Sequence, residues 1–255
     1  MALRIYAFHC GGDRAPKAVY DPLDHDAGTI VYGPYFFFLI THPEGNVLFD
    51  VGLHPKWKAQ AGDGEAETFA IEMGQDDDVV SKLRLVGLGP DDISHVIVSH
   101  LHFDHAGGLQ FFPEANIVVQ RRELQFAFWP PAYQRGVYDR DDFDHPLHWI
   151  EVEGDYDLFG DGAIVATPTP GHTAGHQAAI VHLASGMHVL AGDASYLTEK
   201  MRQRRLPGVL WNPDEMISSW EKLEDLERRF GAKLIFTHDF DYATSKPVPP
   251  DAFFE

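Results

Sequence analysis

Residues 99–109 read SHLHFDHAGGL, a stretch with three histidines and one aspartate within six positions. It follows the apolar run ISHVIV at 93–98, which has the length of a buried strand. Residues two apart point to the same side of extended backbone, so His100 and His102 project together if the strand continues to them. The stretch therefore predicts imidazoles gathered at the end of a strand.

The second half of the stretch adds Asp104 and His105, followed by glycines at 107 and 108. We expect the glycines to permit a tight turn, because they have no Cβ. Imidazole nitrogen and carboxylate oxygen suit zinc and neighbouring divalent metals. Four ligands this close fit poorly around a single tetrahedral ion, so the sequence favours two adjacent ions.

Three more polar residues end apolar runs later in the chain. His172 lies in TPTPGHTAGH, Asp193 in LAGDASY and His238 in LIFTHD. Open α/β sheets place their sites at the carboxyl ends of strands. The repeated placement predicts that these side chains complete the metal site.

The composition limits the class of protein. The chain has 255 residues, 44% of them apolar, a net charge of −19 and the single cysteine Cys10. Strong negative charge argues against nucleic acid and anionic membranes as partners. Neither a secretion signal nor a membrane-length apolar run is evident, so we expect a cytoplasmic protein with a single domain over residues 1–255.

Apolar runs and turns predict alternating strands and helices, typical of sheets covered by helices. We expect a hairpin at 35–52 and helices near 79–88 and at 212–230. Residues 121–149 should form a short helix followed by a long loop, which we call the excursion. We interpret it as a lid or a wall of the substrate pocket; a purely structural role or an oligomer contact are the alternatives. Further strands are expected at 3–8, 93–98, 116–120, 163–171, 177–183, 187–195 and 233–239.

The H-x-H-x-D-H pattern at 100–105, with the later TPGH, GD and TH elements in order, resembles the metallo-β-lactamase superfamily. The resemblance covers nearly the whole chain and implies an αββα sandwich with a dinuclear metal site. From the chemistry of the donor set, zinc is the first expectation, with iron, manganese or cobalt as alternatives. By motif position, one metal takes His100, His102 and His172, the other takes Asp104, His105 and His238, and Asp193 bridges them. Asp50 matches the family's early aspartate, which orients the metal loop.

Within the superfamily, the motifs are most similar to the N-acyl homoserine lactone lactonases. Asp193 stands where the zinc β-lactamases commonly have cysteine. Glyoxalase II enzymes share the ligand set but add a C-terminal helical domain, which we do not expect here, since 17 residues follow His238 in this sequence. Tyr196 matches a tyrosine that points into the lactonase site. The resemblance thus implies a hydrolase that opens the lactone ring of a quorum-sensing signal.

The expected mechanism uses a metal-bridging hydroxide as the nucleophile. Tyr196 would donate a hydrogen bond to the developing oxyanion, and Asp104 would carry the proton to the leaving ring oxygen. A small-molecule lactone would be the substrate. The alternatives are another lactone such as 4-pyridoxolactone, a phosphoester, or a metal-binding module without catalysis.

Aromatic residues are expected to form the wall that receives the acyl chain. The aromatic excursion and the FFFLI run at 36–40 could also form a homodimer surface. The candidates for the wall are Phe36, Phe103, Trp129, Tyr133, Phe143 and Trp149.

Overall fold

Strands buried on both faces organise the chain. In strand β2 (Ile30–Thr41), eight consecutive residues from Gly33 to Ile40 are buried, which requires cover on both sides of the sheet. The computed structural model describes residues 3–59, 69–239, 249–250 and 252–255. Within these ranges it provides that cover with a second sheet on one face and helices on the other.

The first sheet has the strand order β4-β1-β2-β3-β5-β6-β7 in the described residues. Strands β1 to β3 pair antiparallel, and β3, β5, β6 and β7 pair parallel. The expected hairpin is present, with Phe38 opposite Phe49. The strands are β1 (Arg4–Pro16), β2 (Ile30–Thr41), β3 (Asn46–Phe49), β4 (Ala70–Glu72), β5 (Ile93–Ile97), β6 (Asn116–Gln120) and β7 (His148–Val152).

The second sheet has the order β12-β11-β10-β9-β8 across the described part of the chain. Only β11 and β12 are parallel there; the other neighbours are antiparallel. The strands are β8 (Tyr156–Asp157), β9 (Ile164–Pro168), β10 (Gln177–Leu183), β11 (Gly186–Gly192) and β12 (Lys233–Phe236).

Helices cover the outer face of each sheet. Four of them, α1 (Val79–Arg84), α2 (Phe103–Ala106), α3 (Arg121–Phe128) and α4 (Arg140–Phe143), pack on the first sheet. Helices α5 (Thr198–Arg202) and α6 (Pro213–Phe230) pack on the second. The layers follow the order helix, sheet, sheet, helix, which confirms the predicted αββα sandwich.

Three apolar clusters separate these layers. The central cluster joins the two sheets, with Phe38 and Phe49 facing Ala179 and Leu190. An outer cluster seats α1 on the first sheet, and another seats Trp220 of α6 on the second. Burial of these side chains removes apolar surface from water, the main favourable term in folding. The clusters therefore hold the strand ends, and the loops that follow them, in fixed positions.

Helix α6 shows how the sequence sets its own boundaries. Asn212 caps its start and accepts hydrogen bonds from the backbone of Asp214 at 2.9 Å and Glu215 at 3.2 Å. Pro213 stands at the first helical position, where no donor is needed. Gly231 ends the helix with a φ of +65°, a conformation that glycine adopts easily. No helix among the described residues is long and apolar enough to cross a membrane.

The loop that follows β5 differs from the expectation. The strand ends at Ile97, so His100 and His102 lie in a loop rather than on a continued strand. Asp104 and His105 lie on α2, a single helical turn. The sequence signal for this turn was missed because four residues are too few for a helical period.

The two glycines after α2 also have a role other than the expected one, which was to permit a tight turn. Gly107 and Gly108 have φ values of −59° and −95°, which any residue adopts. A Cβ on Gly107 would lie 2.1 Å from the backbone nitrogen of His54, and one on Gly108 would lie 2.7 Å from the carbonyl oxygen of Val51. Glycine is needed here for close approach, since α2 packs directly against the loop after β3.

Candidate metal centre and its pocket

Seven polar side chains converge beyond the carboxyl ends of the strands. They come from the loop after β5, from α2 and from the loops after β9, β11 and β12. Each is at most 9% exposed, which is rare for charged and polar residues without a partner. The set brought together is His100, His102, Asp104, His105, His172, Asp193 and His238.

The nitrogens and oxygens form two neighbouring groups. His100, His102 and His172 present ring nitrogens within 4.8 Å of one another. His102 Nδ1 lies 3.1 Å from His172 Nε2. Asp104, His105 and His238 form the other group, with Asp104 Oδ2 3.4 Å from His105 Nε2 and 3.7 Å from His238 Nε2. Each group offers three ligand atoms to a common point.

Asp193 lies between the two groups. Its Oδ2 is 3.4 Å from His172 Nε2, and its Oδ1 is 3.4 Å from His105 Nε2 and 3.1 Å from His238 Nε2. The hydroxyl of Thr237 donates to Oδ1 at 2.6 Å. One carboxylate therefore faces both groups, as a bridging ligand would.

Hydrogen bonds on the outer side of three rings decide which nitrogen faces inward. Nδ1 of His172 donates to the carbonyl of Val209 at 3.0 Å, and Nδ1 of His238 donates to the carbonyl of Pro34 at 3.0 Å. Nδ1 of His105 donates to Asp50 at 2.8 Å. A protonated Nδ1 leaves the Nε2 lone pair free to bind a metal.

Two buried nitrogens test whether cations fit this site. In the described part of the chain, His100 Nε2 and His105 Nε2 are buried and make no hydrogen bond. Such groups are costly to bury unless something compensates for the lost water. Both nitrogens point at the carboxylates, so cations between them would satisfy nitrogen and oxygen together. Imidazole and carboxylate are the donors that zinc and its neighbours accept.

The charge states also suit metal binding. Burial lowers the pKa of His100 and His102 well below the ordinary 6.5, so both rings are neutral, the form that ligates. Burial opposes ionisation of Asp193, but His238 and His105 outweigh it and hold the pKa of this carboxyl well below 3.8. The centre thus combines the neutral rings of His100 and His102 with an ionised Asp193. Burial opposes protonation of His105 and His238, but the neighbouring carboxylates outweigh it and raise the pKa of both above 6.5, so these two rings would release a proton on binding a metal.

Asp50 supports the loop that carries the ligands. Its Oδ1 accepts from the backbone of Ser99 at 2.7 Å, and its Oδ2 accepts from the Ser99 hydroxyl at 2.8 Å and from His105 Nδ1 at 2.8 Å. The residue is fully buried and has a φ of +60°. The structure therefore puts Asp50 behind His105, in contact with the metal loop.

Glu123 is a supporting residue that the sequence reasoning missed. This buried carboxylate on α3 accepts from the backbone of Leu101 at 3.0 Å, between two of the histidines. It also accepts from the Thr173 hydroxyl at 2.6 Å, the Gly175 backbone at 3.1 Å and the Tyr138 hydroxyl at 3.0 Å. Glu123 therefore ties both histidine loops to the excursion. An acidic residue in the first turn of a helix is too common to have signalled this role.

His176 is a second supporting residue that was missed. Burial lowers its pKa to about 3, so the ring stays neutral. Its Nε2 accepts from the backbone nitrogen of Asp193 at 3.0 Å, and its Nδ1 donates to the Thr169 carbonyl at 3.0 Å. His176 fixes the backbone that presents Asp193. Its place four residues after His172, in the same motif, was the available signal.

A pocket of about 250 Å³ opens onto the centre. Tyr196 lies in its wall, with its ring centroid 5.0 Å from that of His238 and 5.5 Å from that of His172. Phe103 also lines the pocket, as expected. The remaining lining residues are Asp13, Val19, Tyr20, Tyr35, Phe69, His102, Asp104, Val137, Asp193, Val209 and His238.

The other expected wall residues lie elsewhere, which corrects the predicted wall. Phe36 is buried between the two sheets, and Phe143 is buried under the first sheet. Trp129 and Tyr133 are 80% and 66% exposed on the excursion and are not among the lining residues. Trp149 lies on β7 and packs on the outer cluster.

The excursion nevertheless reaches the site through other residues. Val137 lines the pocket, and the Tyr138 ring packs edge-on against His102 at 4.6 Å between centroids. Gln134 donates to the carbonyl of His172 at 3.0 Å. The segment forms part of the wall, but with aliphatic and buried polar contacts rather than its most exposed aromatics.

The geometry above is that of a known family. The model of the metallo-beta-lactamase superfamily matches residues 32–238, which include all seven converging side chains. The chain belongs to the metallo-beta-lactamase superfamily.

Within this superfamily, several relatives are similar over most of their length. An N-acyl homoserine lactonase from Azorhizobium caulinodans is 37% identical over 82% of both chains. An N-acyl homoserine lactonase from Bacillus thuringiensis is 30% identical over 90% of this chain and 93% of its own. A solved N-acyl homoserine lactone hydrolase with N-hexanoyl-L-homoserine at its catalytic metal centre has a TM-score of 0.87 and 27% identity, covering 100% of both chains.

The contacts of Asp50 generate a test of the metal centre. In Asp50→Asn the amide can accept from Ser99 but cannot also accept from His105, and asparagine tolerates the positive φ. We expect the affinity for the ion that Asp104, His105 and His238 would hold to fall about ten- to hundredfold, as for other residues that orient metal ligands. Competition with a chelator measures the metal affinity of this variant and of the wild type.

The matched control is Asp91→Asn, which removes the same charge from an exposed residue at the opposite end of β5. This variant should bind metal as the wild type does. If Asp50→Asn bound metal as tightly as this control, Asp50 would have no role in orienting His105.

Proposed function

We propose that the protein is a dinuclear metal-dependent hydrolase that opens the lactone ring of N-acyl homoserine lactones. The observation that carries the proposal is the presence, in one pocket, of a two-metal donor set and the hydroxyl of Tyr196. The names of the relatives, lactonases at 30–37% identity, support this choice of substrate.

The proposed ligands follow the two groups. His100, His102 and His172 would hold one ion, Asp104, His105 and His238 the other, and Asp193 would contact both. When bound, the two ions would supply a nucleophilic hydroxide at neutral pH and polarise the lactone carbonyl. We propose zinc, because it accepts the imidazole and carboxylate ligands that both groups offer.

Tyr196 is proposed to stabilise the oxygen that becomes negative. Burial, followed by the charges of Asp193 and Asp104, raises its pKa well above 10, so the phenol keeps its proton. Within the described residues no hydrogen bond to its hydroxyl is found, and the residue lines the pocket. A protonated, unengaged hydroxyl can donate to the carbonyl oxygen as charge develops there.

Asp104 is proposed to move the proton. It is 9% exposed, lines the pocket and presents Oδ2 between His105 and His238. As water adds to the carbonyl carbon, the bond from that carbon to the ring oxygen breaks. The proton released by the water would pass through Asp104 Oδ2 to the ring oxygen, which leaves as the alcohol of the opened product.

The acyl chain is proposed to lie on the apolar part of the pocket. Val19, Phe69, Phe103, Val137 and Val209 supply that surface. An apolar surface beside a polar centre is typical of pockets that bind small amphipathic molecules. A cytoplasmic location and a homodimer remain predictions from the sequence.

A panel of substrates tests the proposed function. Metal-loaded protein should hydrolyse N-acyl homoserine lactones with kcat/KM above about 10⁴ M⁻¹s⁻¹, as a natural substrate requires. The same sample is assayed on 4-pyridoxolactone and a nitrophenyl phosphoester. If the protein hydrolysed either of these compounds faster than the homoserine lactones, that compound class would be the substrate instead. Protein that held metal but hydrolysed none of them would be a binding module.

Replacement of Tyr196 tests its role in that reaction. Tyr196→Phe should lower kcat about hundred- to thousandfold, the cost of removing one donor to an oxyanion. The metal content should stay at the wild-type value, because the hydroxyl is not a ligand. Tyr133→Phe, on a tyrosine that is 66% exposed, is the matched control and should leave kcat unchanged. Loss of metal from Tyr196→Phe would mean that its role is structural.

A further inference from the structure

A third carboxylate faces the pocket and has no place in the mechanism above. Asp13 lines the pocket and is 5% exposed. The hydroxyl of Tyr20 donates to its Oδ1 at 2.5 Å, and the hydroxyl of Tyr35 donates to its Oδ2 at 2.9 Å. Both tyrosines also line the pocket. The pocket wall thus contains a second polar group, formed by Asp13 and the two tyrosines, in addition to the converging metal ligands.

A shift of register puts Asp13 in this position. His9 pairs with Phe36, but Gly12 pairs with Pro34, so β1 gains one residue relative to β2 between them. One extra residue moves the following side chains to the other face of the strand. Asp13 then lies opposite Gly33, on the face of the sheet that carries Tyr35.

Gly33 makes room for the second tyrosine. A Cβ on Gly33 would lie 1.7 Å from the Tyr20 hydroxyl oxygen and 2.9 Å from Asp13 Oδ1. The absence of a side chain therefore permits the contact between Tyr20 and Asp13. This local arrangement exists only because a bulge and a glycine occur at matching positions on neighbouring strands.

The two tyrosines hold Asp13 beside the reacting groups. The Tyr20 ring packs edge-on against Tyr196 at 5.4 Å, and the Tyr35 ring packs edge-on against His238 at 5.2 Å. Tyr35 also contacts Phe103, with 6.5 Å between centroids. The carboxylate is therefore on the side of the pocket that holds Tyr196, the proposed donor to the substrate, and His238, a proposed metal ligand.

The carboxylate still has acceptor capacity. An ionised carboxyl group offers about four lone-pair sites, and the tyrosines use two of them. A donor in the pocket can use another. An N-acyl homoserine lactone carries one such donor, the amide N–H on the ring carbon next to the lactone carbonyl. A lactone with an alkyl chain on that carbon carries none.

We propose that Asp13 accepts a hydrogen bond from the amide N–H of the substrate and thereby selects N-acylated amino lactones over lactones without an amide. This inference rests on the proposed function and adds the group that recognises the substrate class. A site that hydrogen-bonds a polar group of its substrate discriminates strongly against analogues without that group, because the buried polar group of the protein then has no partner.

The test compares two substrates on one variant. Asp13→Asn keeps the shape of the side chain and can bond both tyrosines, but it removes the charge. For N-hexanoyl homoserine lactone we expect kcat/KM to fall about tenfold, mainly through KM, since the bond exists before the reaction. For an α-alkyl-γ-butyrolactone of matched length we expect a change below about twofold, because it has no N–H to lose.

Asp91→Asn is the charge-matched control and should leave both values unchanged, since Asp91 is exposed at the far end of β5. An equal loss on both substrates would make Asp13 a structural tie between tyrosines and overturn the proposal. No change on either substrate would overturn it as well.

The wild-type protein provides a second measurement in case Asp13→Asn does not fold. N-methyl-N-hexanoyl homoserine lactone lacks the N–H, and wild-type kcat/KM for it should be about tenfold lower than for the unmethylated lactone. Equal values would overturn the inference while leaving the proposed function intact. Wild-type protein that opened α-alkyl lactones but no N-acyl homoserine lactone would contradict both proposals.

Discussion

The structure depends on one constraint, the burial of the Asp193 carboxylate among imidazoles at the end of β11. The residue is 2% exposed, and the nearest ring nitrogens lie 3.1–3.4 Å from its oxygens. A buried charge is costly unless it is paired and hydrogen-bonded. The sandwich brings four strand-end segments to this point, and two cations shared through Asp193 would satisfy the inward-facing atoms. Asp50, Glu123 and His176 hold the loops that make this possible.

Much of the fold and of the metal centre could be predicted from the sequence, for a physical reason. Each expected ligand ends or follows an apolar run, and the carboxyl ends of strands meet at one edge of a sandwich. This placement predicts that His172, Asp193 and His238 join the motif, and the resemblance to the superfamily implies their roles as ligands. The details of the metal loop could not be predicted in this way. Helix α2 has four residues, and the glycines after it serve close packing, which only the three-dimensional neighbours reveal.

The pocket walls were the least predictable part, and β2 shows why. Tyr35 lines the pocket while its neighbour Phe36 is buried between the sheets, because successive side chains of a strand point to opposite faces. Aromatic composition does not reveal which face a residue occupies. The same holds for Asp13, whose direction depends on a bulge, and for Glu123, whose four donors come from segments distant in sequence. If Asp13 recognises the substrate as proposed, this recognition depends on β1 and β2, whereas the metal ligands follow the later strands.

Metal content per chain tests the central claim, that Asp193 serves two ions, most directly. Elemental analysis should find about two ions per chain in the wild type and about one in His172→Ala, which loses a ligand of one group only. Asp193→Ala should retain less metal than His172→Ala, because both groups lose a ligand. The account would be contradicted by a wild type that binds a single ion, or by an Asp193→Ala variant that keeps as much metal as His172→Ala.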